Sequence, residues 1–266
     1  MGARARSNEK ERVGTMTTPS FTPGHFTWRE LMTKDVTKAK GFYGELFGWT
    51  FEDVPMEGFA YTLINNGDKQ VGGMMPLMDD SHPPHWMSYV SVVDVDGAAA
   101  AATKAGGTVA VGPMDIPNIG RFAVIADPAG AYVSIARWEK GDPEPGMPGV
   151  GEFCWETLST NDVDGAFDFY ATLCGWQGTN SGPGGMKVFA AGDVPVADPQ
   201  STPPGVPPSW MTFIVLPNGV DAGCEKAKQL GATVLEPRIP VPGVGVIAVV
   251  ADPTGAVIGL FEPAMA

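Results

Sequence analysis

Side chains that commonly ligate metals or act as nucleophiles are scarce in this chain. There are three histidines, His25, His82 and His85, and three cysteines, Cys154, Cys174 and Cys224. An odd cysteine count with no Cys-x-x-Cys pair offers neither a disulfide framework nor a zinc knuckle; it reads as buried thiols in a reducing compartment. His82 and His85 flank two prolines in "HPPH", a loop at the rim of a strand, where exposed histidines are commoner than metal ligands. No Ser-His-Asp or Cys-His grouping has a supporting context. The glycine-rich "SGPGG" (residues 181–185) is followed by neither Lys-Ser/Thr nor a helix start, so it is a turn and not a phosphate cradle. The formal charge of −13 argues against a nucleic-acid partner, which needs a basic surface. The longest apolar runs, such as "VGVIAVVA", are far shorter than the ~20 residues that span a bilayer. With 44% apolar and 18% charged residues the chain can bury a substantial core, and a cytoplasmic location is expected.

The elements that position any site are written twice. "DVTKAKGFYGELFGW" begins at Asp35 and "DVDGAFDFYATLCGW" at Asp162, 127 residues later. Apolar residues follow at Ala39, Phe42, Tyr43, Leu46 and Phe47, and at Ala166, Phe169, Tyr170, Leu173 and Cys174. That spacing is one face of a helix. Asp35 and Asp162 suit the N-cap, and Gly48 and Gly175 the left-handed stop. Before each helix comes a strand pattern, "FTWRELMT" and "FCWETLST". After it, "HWMSYVSVV" parallels "SWMTFIVL", with Ser209 in the place of His85, and a second helix follows in each half. Last, "VIADPAGAYVSI" parallels "VVADPTGAVIGL", where Asp-Pro-x-Gly reads as a hairpin turn.

Residues 22–137 and 150–266 are accordingly read as two modules joined by a Pro/Gly linker, 138–149. Residues 1–21 read as a disordered extension without a secretory signal; Met16 is an alternative start, and Arg6 breaks the myristoylation pattern. The Pro-rich "DVPVADPQSTPPGVPP" of the second half reads as a loop near a cavity entrance. The expected fold is α+β: two tandem βαβββ modules forming one curved eight-stranded sheet around a shared cavity.

The order of these motifs, "FY…GW" on the first helix and "DPxG" before the last strand, in both halves, resembles the vicinal oxygen chelate superfamily. That group includes glyoxalase I, extradiol dioxygenases and bleomycin resistance proteins. The resemblance spans roughly residues 22–264 and is nearest to the tandem glyoxalase-like proteins of actinobacteria. It implies a divalent ion held by His, Gln or Glu on the first strand, on the strand that follows, and on the last strand. Those positions fall on Trp28 and Trp155, on Met87 and Met211, and on Ser134 and Gly259. None is a reasonable ligand for Zn, Ni, Mn or Fe(II). The expectation is therefore no metal and no cofactor.

Strand alternation adds the neighbours that share the cavity face. Glu30 accompanies Trp28, Tyr89 accompanies Met87, and Phe213 accompanies Met211; Tyr132 accompanies Ser134, and Phe261 accompanies Gly259. Trp28 and Trp155 are expected to face one common cavity. The lining of indole, phenol, phenyl and thioether groups, with one carboxylate, suits a flat, largely apolar ligand. The reading is a metal-free small-molecule binding protein, for sequestration or resistance, with no nucleic-acid or membrane partner. The alternative is a lyase, isomerase or hydroxylase-like enzyme, either using Glu30 and Tyr89 as catalytic candidates or carrying a non-standard metal site. Arg29 and Glu156, on the opposite face, are read as a buried pair if the first strands of the two modules lie side by side.

Overall fold

The computed structural model describes residues 19–79 and 82–264. The expected extension lies, up to residue 18, outside the described residues. Thr22 is docked: its N–H donates to Asp142 Oδ2 at 2.6 Å, and the Arg137 guanidinium lies 3.2 Å from the centre of the Phe21 ring. The folded body thus begins before residue 22.

The first half runs β1 (Phe26–Thr33), α1 (Val36–Phe47), β2 (Thr50–Met56), β3 (Phe59–Asn66), β4 (Lys69–Pro76), β5 (His85–Ser91), α2 (Val95–Lys104), β6 (Thr108–Ile116), β7 (Gly120–Ala126) and β8 (Tyr132–Trp138). The second runs β9 (Phe153–Thr160), α3 (Val163–Cys174), β10 (Gln177–Thr179), β11 (Val188–Ala191), β12 (Val194–Ser201), β13 (Ser209–Val215), α4 (Gly219–Gln229), β14 (Thr233–Val241), β15 (Gly245–Ala251) and β16 (Val257–Pro263). Each half makes its own eight-stranded sheet, in the orders β2-β3-β4-β1-β5-β8-β7-β6 and β10-β11-β12-β9-β13-β16-β15-β14.

The α+β class and the tandem halves are as the sequence reads, but the strand count is not. The strand after the Pro-Pro segment, the second helix and the final hairpin are a complete second βαβββ unit. One half therefore fills a whole sheet, and there are two sheets where one was expected. The Pro-rich run is also corrected. Its first part is β12, paired parallel with β9 in the register Asp198↔Thr157. A proline removes one ladder donor, which the neighbouring pairs tolerate; only the residues after Ser201 form a loop.

Local signals account for the helices. Asp35 and Asp162 accept from Lys38 N and Gly165 N, and Gly48 and Gly175 stop α1 and α3 at φ 76° and 72°. A positive φ costs glycine nothing. The apolar stripes of the helices meet across the halves. One core cluster joins Phe42, Tyr43 and Phe47 of α1 to Val220, Cys224 and Ala227 of α4; another joins Ala99 and Ala102 of α2 to Phe169 and Tyr170 of α3. Fully burying a side chain such as Phe is worth about 1.5–3 kcal/mol.

The repeated phrases interlock at these seams. Tyr43 Oη donates to Asp252 Oδ2 at 2.9 Å and accepts from Trp86 Nε1 at 2.9 Å. Tyr170 Oη likewise donates to Asp127 at 3.1 Å and accepts from Trp210 Nε1 at 2.8 Å. The tyrosine of each half thus grips the Asp-Pro-x-Gly turn of the other. Each turn aspartate also accepts three N–H groups of its own turn, from Ala129, Gly130 and Ala131 and from Thr254, Gly255 and Ala256. Trp49 Nε1 donates to Gly151 O, and Trp176 Nε1 to Gly24 O. Gly24 sits at φ +86°, with no room for a Cβ, which would fall 2.9 Å from that of Ala191. Trp86 and Trp210 are buried in this core. Met87 and Met211 take the other face, so their neighbours had to turn inward.

Replacing Tyr43 or Tyr170 with Phe strands a buried indole N–H and removes one donor to the opposite turn. Each change should destabilise the protein by about 1–3 kcal/mol. Urea denaturation at neutral pH measures this; unchanged midpoints in both variants would show that the seam does not hold the halves.

Candidate site on the outer sheet faces

Arg29 and Glu156 set the direction of every other side chain on the first strands. Arg29 Nε donates to Glu156 Oε1 at 2.9 Å, joined by Ser88 Oγ at 2.9 Å and Thr212 Oγ1 at 2.8 Å. This cluster lies between the sheets, so β1 and β9 meet face to face, not side by side. Glu156 is fully buried; desolvation raises its pKa, against the pull of Arg29 and the hydroxyls. Alternation then turns Trp28 and Glu30 away from the second half, and Trp155 and Thr157 away from the first. The expected common cavity is therefore not formed. The helices occupy the space between the sheets, and the two tryptophans lie on separate outer faces.

On the first face, Trp28, Tyr89 and Ser134 sit in one row across β1, β5 and β8, with Glu30 beside Met87 in the next. Tyr89 Oη donates to Glu30 Oε2 at 3.0 Å, and Trp28 Nε1 donates to Tyr61 Oη at 2.9 Å. The Tyr61 hydroxyl also approaches the Glu30 carboxyl and helps hold its pKa down. It reaches there by crossing Gly73, where a Cβ would lie 1.8 Å from the phenol oxygen. Met87, Tyr89, Val124 and Ala136 are buried beneath Trp28, Met32, Phe122 and Trp138. The Tyr89 ring stands 6.2 Å from Phe122 and 5.9 Å from Trp138. Ser134 Oγ is buried beside the Tyr89 hydroxyl without a well-aligned partner. Burial raises the Glu30 pKa despite the two phenols, and burial next to Glu30 raises both phenols.

Tyr132 stands apart, 45% exposed at the start of β8, with the His82 ring 6.3 Å away. His85 is the first residue of β5 and not a loop residue; its Nδ1 lies 2.8 Å from Pro83 O, and burial lowers its pKa.

On the second face, Trp155, Phe213 and Gly259 share a row, and Thr157 pairs with Met211. Phe213 lies over Gly259, where a Cβ would be 2.1 Å from the ring. Phe261 is two residues further along β16 and half-buried. The acid here is Asp198, which the sequence reading missed. Its Oδ1 accepts from Trp155 Nε1 at 2.5 Å and Thr157 Oγ1 at 2.8 Å, and its Oδ2 from Gln200 Nε2 at 2.6 Å. A signal existed, one residue out of register: counting back from the Pro-Pro-x-Trp of each half lays "VPVADPQ" over "QVGGMMP", with Asp198 over Met74, whereas strand pairing sets it over Gly73. Tyr61 carried no comparable signal, because its role depends on the close approach over Gly73.

Each face therefore offers one carboxylate, with phenols and a hydroxyl on the first and a threonine and an amide on the second. Among the described residues no three His, Cys, Asp or Glu side chains converge on a point that could hold a metal ion. This donor set does not fit the divalent ion that the resemblance implies. Two surface depressions lie elsewhere: ≈ 490 Å³ between the ends of α2 and α3, and ≈ 340 Å³ beside Arg121 and Arg137.

Comparison with known proteins agrees with the fold. The sequence profile of the Glyoxalase/Bleomycin resistance protein/Dioxygenase superfamily matches residues 22–135. CFP32 of Mycobacterium tuberculosis, provisionally named a glyoxylase, is 31% identical over 253 residues, covering 92% of this chain and 97% of its own. The anthracycline biosynthesis protein DnrV of Streptomyces peucetius is 33% identical, covering 91% and 94%. Among solved structures, a Mn(II)-bound glyoxalase from Novosphingobium aromaticivorans superposes with a TM-score of 0.58 at 15% identity, covering 90% and 82%. A variant of homoprotocatechuate 2,3-dioxygenase from Brevibacterium fuscum gives 0.62 at 14%, covering 92% and 72%. With two relatives above 30% identity along nearly their whole length, this chain belongs to the Glyoxalase/Bleomycin resistance protein/Dioxygenase superfamily.

Proposed function

We propose that the protein binds a small, flat, largely apolar molecule on its outer sheet faces, by stacking and without a metal ion. One observation carries this reading. Where metal-dependent members of the superfamily place ligands, the first face has Trp28, Met87 and Ser134, set within an aromatic cluster over Glu30. Aromatic and thioether groups recognise π faces, and a few polar groups orient what they hold. The relatives named for anthracycline biosynthesis support a small-molecule role. The free thiols of Cys154, Cys174 and Cys224 suit a reducing, cytoplasmic setting.

A second reading, a metal-independent lyase, isomerase or hydroxylase-like enzyme, is favoured by Glu30 alone. A buried carboxyl with its pKa raised by desolvation, bonded to a phenol, is suited to accept or donate a proton.

Three outcomes are expected. Titration with 2-naphthylmethanol should quench tryptophan fluorescence, and Trp28→Ala should weaken binding several-fold by removing a contact of about 0.5–1.5 kcal/mol; the absence of any quenching would end the binding reading. Elemental analysis of untagged protein should find well under one equivalent of Zn, Ni, Mn or Fe, and a tightly held ion surviving dialysis would overturn the metal-free reading. Glu30→Gln should have a pH signature. With its folded pKa raised, Glu30 binds its proton more tightly folded than unfolded, so wild-type stability falls as pH rises from the ordinary glutamate range through the raised value. The variant should gain on the wild type above that window and lose the gain below it. Melting curves across pH check this; a constant difference would show that Glu30 does not carry the raised value.

A further inference from the structure

The two outer faces carry their acids differently. On the first, the acid is Glu30 on β1, closed over by two phenols. On the second, Thr157 takes that place on β9, and Asp198 on β12 takes the place of Gly73 on β4. Asp198 is 4% exposed. Its bonded neighbours are an indole, a hydroxyl and an amide, all neutral donors. Among the described residues it takes part in no ion pair. Three donors and no acceptor point at its oxygens, the pattern that suits a carboxylate. Buried charges are ordinarily paired, because leaving water costs several kcal/mol per ion.

The surroundings fit a cationic partner. Trp155 and Phe213 share the face, with Met211 and Phe261 half-buried beside them. Aromatic faces attract ammonium groups, and a carboxylate among them adds a charge-assisted hydrogen bond. Only Gln200 reaches Oδ2 from the solvent side, and it is exposed, bonding Met186 Sδ at 3.3 Å with the same amide nitrogen. An ammonium bonded to Oδ2 replaces that one amide donor. The net charge of −13 draws cations toward the protein.

We infer that the second outer face is a binding site for an organic cation, an aromatic compound bearing an amine, with Asp198 as its counter-ion and Trp155 as its stacking platform. This rests on the proposed binding of flat apolar molecules and names a class of them for one face. The test compares 2-naphthylmethylammonium with 2-naphthylmethanol, equal in shape and differing in charge, by calorimetry on the full chain at low salt. The cation should bind at least about tenfold more tightly. Asp198→Asn, which keeps an oxygen for Trp155 and Thr157, should abolish the preference while the alcohol still binds. Gln200→Ala should strengthen cation binding. Asp221→Asn, which removes an equal charge on the surface, should leave the preference in place. Equal affinities in the wild type, or a preference that survives Asp198→Asn in a variant that melts normally, would overturn the cation site alone. If neither probe binds, the cation site and the broader binding reading both fail.

Discussion

The architecture depends on two phenol hydroxyls that each serve both halves of the chain. Tyr43 and Tyr170 stand at the centres of the two seams, each accepting from an indole of its own half and donating to a turn aspartate of the other. A buried hydroxyl with a donor and an acceptor satisfied is inexpensive; with either missing it is costly. The aspartates are buried as well, and three turn amides hold each in place independently of the tyrosine. The docking is therefore directional in a way that apolar stripes alone are not. It explains why the chain repeats a helix with Phe-Tyr and a turn with Asp-Pro-x-Gly: each motif's partner is the other motif, in the other half.

At the centre, equivalent positions meet each other, as they do across an approximate two-fold axis. Arg29 faces its counterpart Glu156, and the equivalent residues Ser88 and Thr212 both donate to that carboxylate. Two identical subunits would place like charges together here. A tandem chain can place an arginine on one side and a glutamate on the other, so the buried charge is compensated and four hydrogen-bonding groups are used.

This packing decides which sheet faces lie away from the other half. With the helices and the Arg29–Glu156 cluster enclosed, the remaining faces of both sheets turn outward, and each gathers aromatics around one acid. The two faces have diverged in how that acid is stabilised. Glu30 is desolvated and pushed toward its neutral form, with phenols that serve either protonation state. Asp198 is supported by three donors and left without a cation. Duplication thus yields two related surfaces with different electrostatic environments.

Much of this was legible in the sequence. Helix stripes, caps and the Asp-Pro-x-Gly turns are local, set by side-chain spacing and by the φ preferences of Pro and Gly, so α1 and α3 and the final hairpins follow from the residues alone. Strand parity is also local, and it correctly separates Trp28 and Glu30 from Arg29, and Met87 from Trp86. Local rules do not say what lies over each face. Whether Trp28 and Trp155 share a space depends on which face of each sheet the helices cover, a question of long-range burial that only the tertiary structure answered. The same holds for Tyr61, whose hydroxyl reaches Glu30 only because Gly73 on the strand between leaves room. It holds for Asp198, hidden in a run whose prolines suggest a loop until the pairing with β9 makes it a strand. The residues determined the elements and their faces; the packing of one half against the other determined which of those faces joined the core between the sheets and which turned away from it.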